Sequence, residues 1–100
     1  MRSGYEVHWT DHANFELQAT INFLLEVWSE RELKNFIRRL DHTLQLISRQ
    51  PDLFPESNKN TGIRRAVVDS YNTLYYRKQK NAVQILSLFS TRRGPDKLQF

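Results

Sequence analysis

The chain of 100 residues contains no cysteine, which excludes disulfides and thiolate metal sites and permits a reducing compartment. It contains no apolar run approaching the roughly 20 residues that span a bilayer, and its start, Met1-Arg2-Ser3-Gly4-Tyr5-Glu6, lacks the apolar core of a signal peptide. A cytoplasmic location without membrane contact is the expectation. There is no internal repeat and no low-complexity tract. Acidic residues are scarce in one half: residues 59–100 hold nine Lys/Arg against Asp69 and Asp96 alone, whereas residues 1–58 hold six against nine.

What is present fits a folded globular protein. Apolar residues make up 39% and charged residues 26%, with six Phe, four Tyr and two Trp, enough for one modest core and a single domain over 1–100. The net charge of +4 is concentrated in the second half, which is also the half that reads as strands. Such a surface attracts polyanions or an acidic protein.

Tyr5-Glu6-Val7-His8-Trp9-Thr10 alternates apolar and polar side chains and predicts a short first strand. Thr10 or Asp11 then caps a helix whose stripe is Ala13, Leu17, Ile21, Leu24 and Trp28. Ser29-Glu30-Arg31-Glu32 fits a capping box opening a second helix with Leu33, Phe36, Ile37, Leu40, Leu44 and Ile47, ended by Pro51. The short break predicts an antiparallel helical hairpin. Gln50 to Thr61 reads as a polar, mobile loop. Strands are predicted over Ile63–Asp69, Asn72–Gln79 and Ala82–Ser90, joined by Ser70-Tyr71 and Lys80-Asn81 as an antiparallel meander. The first strand is remote in sequence and can join either edge; it is expected to pair parallel to the last, since the hairpin supplies the long connection that parallel pairing needs. The fold class is α+β, with both helices on one face of a four-stranded twisted sheet.

Gly62-Ile63-Arg64-Arg65, Leu74-Tyr75-Tyr76-Arg77, Val83-Gln84-Ile85-Leu86-Ser87-Leu88 and Thr91-Arg92-Arg93-Gly94-Pro95, in that order, resemble the RelE/ParE superfamily of toxins from bacterial type II toxin–antitoxin systems, which includes plasmid-stabilisation proteins. Trp9-Thr10 before a helix with Ala13 and Leu17, and the Pro51 to Pro55 region, are similar as well. The resemblance implies a toxin neutralised by an antitoxin encoded beside it. It acts either as a ribosome-dependent mRNA endonuclease, RelE-like, or as a DNA gyrase inhibitor, ParE-like; a non-toxic basic binding module is a third reading, and a homodimer stays open.

RNA cleavage needs a base for the 2′-hydroxyl, cations for the phosphorane and an acid for the leaving oxygen. Arginine serves the second need and is a poor acid or base. Histidine is the ordinary proton carrier, yet His8, His12 and His42 all fall outside the basic strands, and their spacing does not suit paired metal ligands. No cofactor or metal is expected. Many relatives carry a His where Ser90 stands, and RelE-like nucleases tend to carry a Tyr shortly after the last arginine, where this chain runs Gly94 to Phe100. These departures favour the ParE-like branch, acting by binding without catalysis.

The candidate site for target or antitoxin is Arg64, Arg65, Tyr75, Arg77, Arg92 and Arg93, gathered from separate strands. For a nuclease, Arg64, Arg65, Arg77, Tyr75 and Arg92 are the candidates. The plain alternative is that these cations decorate an exposed sheet for solubility and edge protection. Strand parity turns Tyr76 inward and Tyr75 outward with Arg77. Trp9, Trp28, Phe36 and Phe54 are expected as core or loop anchors.

Overall fold

In the computed structural model, which describes residues 4–57 and 62–91, the order of elements is β1 (Glu6–Trp9), α1 (Asp11–Val27), α2 (Glu30–Arg49), β2 (Ile63–Val67), β3 (Asn72–Lys78) and β4 (Ala82–Ser90). The four strands form one mixed sheet in the order β1-β4-β3-β2. β1 runs parallel to β4, and β2, β3 and β4 are successive antiparallel neighbours. The meander is as the turn spacing predicts, and the parallel partner is the predicted one.

Local chemistry fixes the helix starts. Thr10 is the N-cap of α1, its hydroxyl accepting from the Ala13 amide at 3.1 Å while donating to the Ile85 carbonyl at 3.1 Å. One side chain thus both begins α1 and ties its start to β4. Ser29 caps α2 by accepting from the Glu32 amide at 3.2 Å, so the two helices meet at a break of two residues, Trp28 and Ser29. α2 ends at Arg49, two residues before Pro51, since the residue before a proline avoids the α region.

The main core lies between the helices and the sheet. Leu24, Ile47, Leu74, Tyr76, Val83, Ile85 and Leu88 have essentially no exposed surface, with Phe36 and Leu40 beside them; each such aliphatic side chain contributes about 1.5–3 kcal/mol by burial. Tyr5, Val7, Trp9 and Phe54 pack against the same core. Trp28 and Ile37 do not follow their assigned stripes: they are 44% and 43% exposed, because Trp28 sits past the end of α1 at the hairpin elbow and Ile37 turns away from the sheet.

The pairing of β3 with β4 contains one irregularity. Tyr75 pairs with Ser87 but Tyr76 pairs with Ile85, so Leu86 is an extra residue, a β-bulge in β4. The inward positions of β4 therefore run Val83, Ile85, Leu88, and Leu86 joins Ile63, Tyr75 and Phe89 in a second apolar cluster. That cluster lies on the outer face of the sheet, the face away from the helices.

The segment after α2 is a strap bonded to the sheet, not the free loop the sequence predicts. The Ser57 amide donates to the Ile63 carbonyl at 2.6 Å and the Arg65 amide to the Pro55 carbonyl at 2.9 Å, around a bridge between Glu56 and Arg64. The Tyr76 hydroxyl donates to the Pro51 carbonyl at 2.6 Å. Residues 58–61 of the expected loop lie outside the described residues.

Candidate functional site

The arginines expected to converge are divided between two faces by the alternation of β2. Arg64 is in register with Tyr76, and Arg65 with Tyr75. Tyr76 is fully buried in the main core and Tyr75 belongs to the outer cluster, so Arg64 faces the helix side while Arg65 faces outward. Arg77, in register with Ile63, is also outward, and both Arg65 and Arg77 are exposed.

Arg64 is committed internally. Its guanidinium donates to the Phe54 carbonyl at 2.6 Å and sits 3.5 Å from an Asp52 carboxylate oxygen and 4.0 Å from Glu56. It closes the strap onto the sheet. Asp52 also takes Lys78 Nζ at 3.1 Å, which raises the lysine above its ordinary value. Among the predicted site residues Arg64 is thus a clamp, and Arg65 and Arg77 are the exposed pair. Arg92 and Arg93 lie outside the described residues.

The tyrosines divide as parity predicts. Tyr76 points inward, and burial pushes its phenol up to about 12; it meets Phe54 edge-on with ring centroids 6.3 Å apart. Tyr75 is on the outer face yet only 8% exposed, because the bulge delivers Leu86 beside it. It is a packing residue in the cluster of Ile63 and Leu86.

The separation of the histidines from the arginines does not hold for His8. Val7 and Trp9 pack on the main core, so by alternation Glu6 and His8 face outward. His8 is in register with Gln84 of β4, and Gln84 with Arg77 of β3. Arg77 Nε donates to Gln84 Oε1 at 3.3 Å, and His8 Nε2 lies 3.0 Å from Glu6 Oε1. The sequence hides this row because its members come from three strands, and the register of β1 is set only by folding. His12 lies on α1 beside Glu16 at 3.3 Å, and His42 is exposed on α2.

Glu16 was not among the sequence candidates. Its Oε1 accepts from Ser87 Oγ at 2.7 Å and from the Leu88 amide at 2.9 Å. β1 ends at Trp9, opposite Ile85, so among the described residues the edge of β4 beyond that point has no strand neighbour; the Glu16 carboxylate takes its place. The available signal was weak: an acid beside the apolar positions Ala13 and Leu17 of the helix. Among the described residues no cluster of three His, Asp or Glu could hold a metal ion, and no helix is long and apolar enough to cross a membrane.

This arrangement of two helices behind a β1-β4-β3-β2 sheet recurs in solved toxins. The ParDE toxin–antitoxin system of P. aeruginosa includes a chain similar at a TM-score of 0.69 and 16% identity, over 86% of this chain and 95% of that one. The chain has the fold of the RelE/ParE toxins. The E. coli DinJ–YafQ toxin–antitoxin complex includes another RelE/ParE-fold chain, with a TM-score of 0.62 and 9% identity over 91% and 97% of the two chains. YoeB from Staphylococcus aureus, solved as a dimer, gives 0.60 and 17% over 87% and 97%. The sequence matches no family model and no curated protein; the RelE/ParE likeness is carried by backbone arrangement, which survives where side chains diverge.

Proposed function

We propose that this chain is the toxin of a type II toxin–antitoxin module, held inactive by a cognate antitoxin, and that it acts in the ParE-like manner by binding a protein target such as DNA gyrase. The fold shared with the ParDE chain supports this reading, as do the antitoxin complexes in which similar chains occur. The observation that carries it is the exposed pair Arg65 and Arg77 on the sheet face the helices leave free, a cationic surface suited to an acidic partner.

Binding is favoured over RNA cleavage by the fate of the other candidates. Arg64 is held by Phe54, Asp52 and Glu56, so it is not free to meet a scissile phosphate. The Tyr76 phenol, at about 12, does not exchange protons near neutrality, and Tyr75 is packed away.

The test is induction in cells with and without the neighbouring open reading frame. Growth arrest with DNA-damage signalling and intact transcripts, relieved by the neighbour, is the expected result. Arg65→Glu with Arg77→Glu should abolish arrest while leaving the fold intact by circular dichroism. Codon-phased mRNA cuts would replace the gyrase reading by the RelE-like one, and unimpaired growth would remove the toxin reading.

A further inference from the structure

We infer that Glu16 guards an open edge of β4, and that this edge, once unguarded, pairs antiparallel with the same edge of a second copy of this chain. The inference concerns self-association and does not depend on the toxin reading. β1 has four residues and β4 nine, and their pairing ends at Trp9 and Ile85. Among the described residues, 86–90 therefore have a strand neighbour on the β3 side alone. The Thr91 amide donates to the Tyr71 carbonyl, just before β3, at 2.9 Å. By alternation the Ser90 amide points the other way, as does the Leu88 amide that donates to Glu16. The free side of β4 thus presents a short row of backbone groups of the kind an added strand takes up.

Charge selects the occupant. Residues 82–90 include no charged residue, no proline and no glycine, the composition of a segment that pairs with copies of itself. Two such edges meeting about a two-fold axis bring no like charges together along the strands, and each supplies the donors and acceptors that the other lacks. The opposite edge of the sheet is built differently. β2 carries Arg64 and Arg65, and the strap covers it through the Ser57 amide bond to the Ile63 carbonyl and the Arg65 amide bond to the Pro55 carbonyl. β4 has neither strap nor charge of its own, so its protection comes from α1.

Glu16 suits that task. Its Oε1 accepts from Ser87 Oγ at 2.7 Å and from the Leu88 amide at 2.9 Å, which is the acceptor position an incoming backbone carbonyl would take. His12, one turn earlier on α1, brings Nε2 to 3.3 Å from the same oxygen and helps hold the carboxylate in place. A second copy can pair here only after displacing the carboxylate from both β4 groups. Phe23 and Val27 follow Glu16 along the same side of α1, and Val27 is 60% exposed; this is apolar surface beside the edge that the paired form covers.

The experiment is sedimentation velocity of the full chain over a concentration series, with amide exchange measured at low and high concentration. Glu16→Ala should associate about tenfold more tightly than the wild-type chain, the scale of one regained backbone hydrogen bond in each copy, and exchange at Leu88 and Ser90 should slow as concentration rises. Glu16→Gln keeps an oxygen acceptor and should match the wild type. Ser87→Ala, which leaves Glu16 one bond to β4, should associate to a smaller degree and serves if Glu16→Ala does not fold. Phe89→Lys puts a cation on the uncharged strand and should reverse the association of either variant. Gly4→Ala, a loss of stability away from this edge, should leave association unchanged. Association no tighter than wild type in every folded variant that loosens Glu16 would overturn the inference. So would equal association of Gly4→Ala, persistence of the effect with Phe89→Lys, or slowed exchange elsewhere than at Leu88 and Ser90.

Discussion

Replacing Glu16 by Ala tests whether one helix side chain completes the sheet. The carboxylate accepts from Ser87 Oγ at 2.7 Å and the Leu88 amide at 2.9 Å, and both residues are fully buried. Its removal leaves a buried N–H and hydroxyl without an acceptor; an unsatisfied buried group costs about 1–3 kcal/mol, and bonds to a charged acceptor lie toward the upper end. We expect a loss of about 3 kcal/mol, a large share of the roughly 5–15 kcal/mol typical of a domain this size. With a urea m-value of about 1.5 kcal/mol/M, the midpoint should fall by about 2 M at unchanged slope. Glu16→Gln keeps an oxygen acceptor and should lose about 1 kcal/mol. In a double-mutant cycle, Ser87→Ala should reduce the cost of Glu16→Ala, giving a coupling of about 1 kcal/mol. Equal stabilities for the Ala and Gln variants, or strict additivity with Ser87→Ala, would refute the account of Glu16 as the missing neighbour of β4.

Arg64→Ala should free the strap: a loss of about 1–2 kcal/mol, read by denaturant unfolding, with faster amide exchange at Ser57 and Arg65. Tyr76 gives a pH signature. Its folded value near 12 lies above the ordinary 10.0, so its contribution is complete below pH 10 and declines as pH rises from about 10 to about 12; Tyr76→Phe should make that decline shallower in unfolding curves measured across this window, the raised Lys78 accounting for part of what is left. Gly4 has φ of 116°, and an added Cβ would meet Ser48 Oγ at 2.7 Å. Gly4→Ala should therefore break the Tyr5 amide's 2.8 Å bond to the Ser48 carbonyl and lower stability by about 1–2 kcal/mol, visible as a drop in Tm.

The elements were legible because each follows from nearby residues. Thr10 and Ser29 cap the helices they precede, apolar spacing gives each helix a core face, and the short turn segments leave β2, β3 and β4 no pairing but a meander. Parallel pairing of β1 with β4 is what the length of the connection permits, though it leaves either edge of the sheet open. Local sequence therefore determined the elements, their order and the meander of the α+β fold, since caps, periodicity and turn length act over a few residues, while the edge that β1 joins was decided by folding.

Tertiary structure decided which side chains meet. The Leu86 bulge shifts parity within β4 and packs Tyr75 away, an outcome no two-residue alternation contains. Arg64 and Arg65 are chain neighbours sent to opposite faces, one clamped by Asp52 and Glu56 and the other exposed. His8, Gln84 and Arg77 share a row only because register brings together positions some 70 residues apart. Long-range register and the competition among buried partners are properties of the folded whole, and the site is built from those.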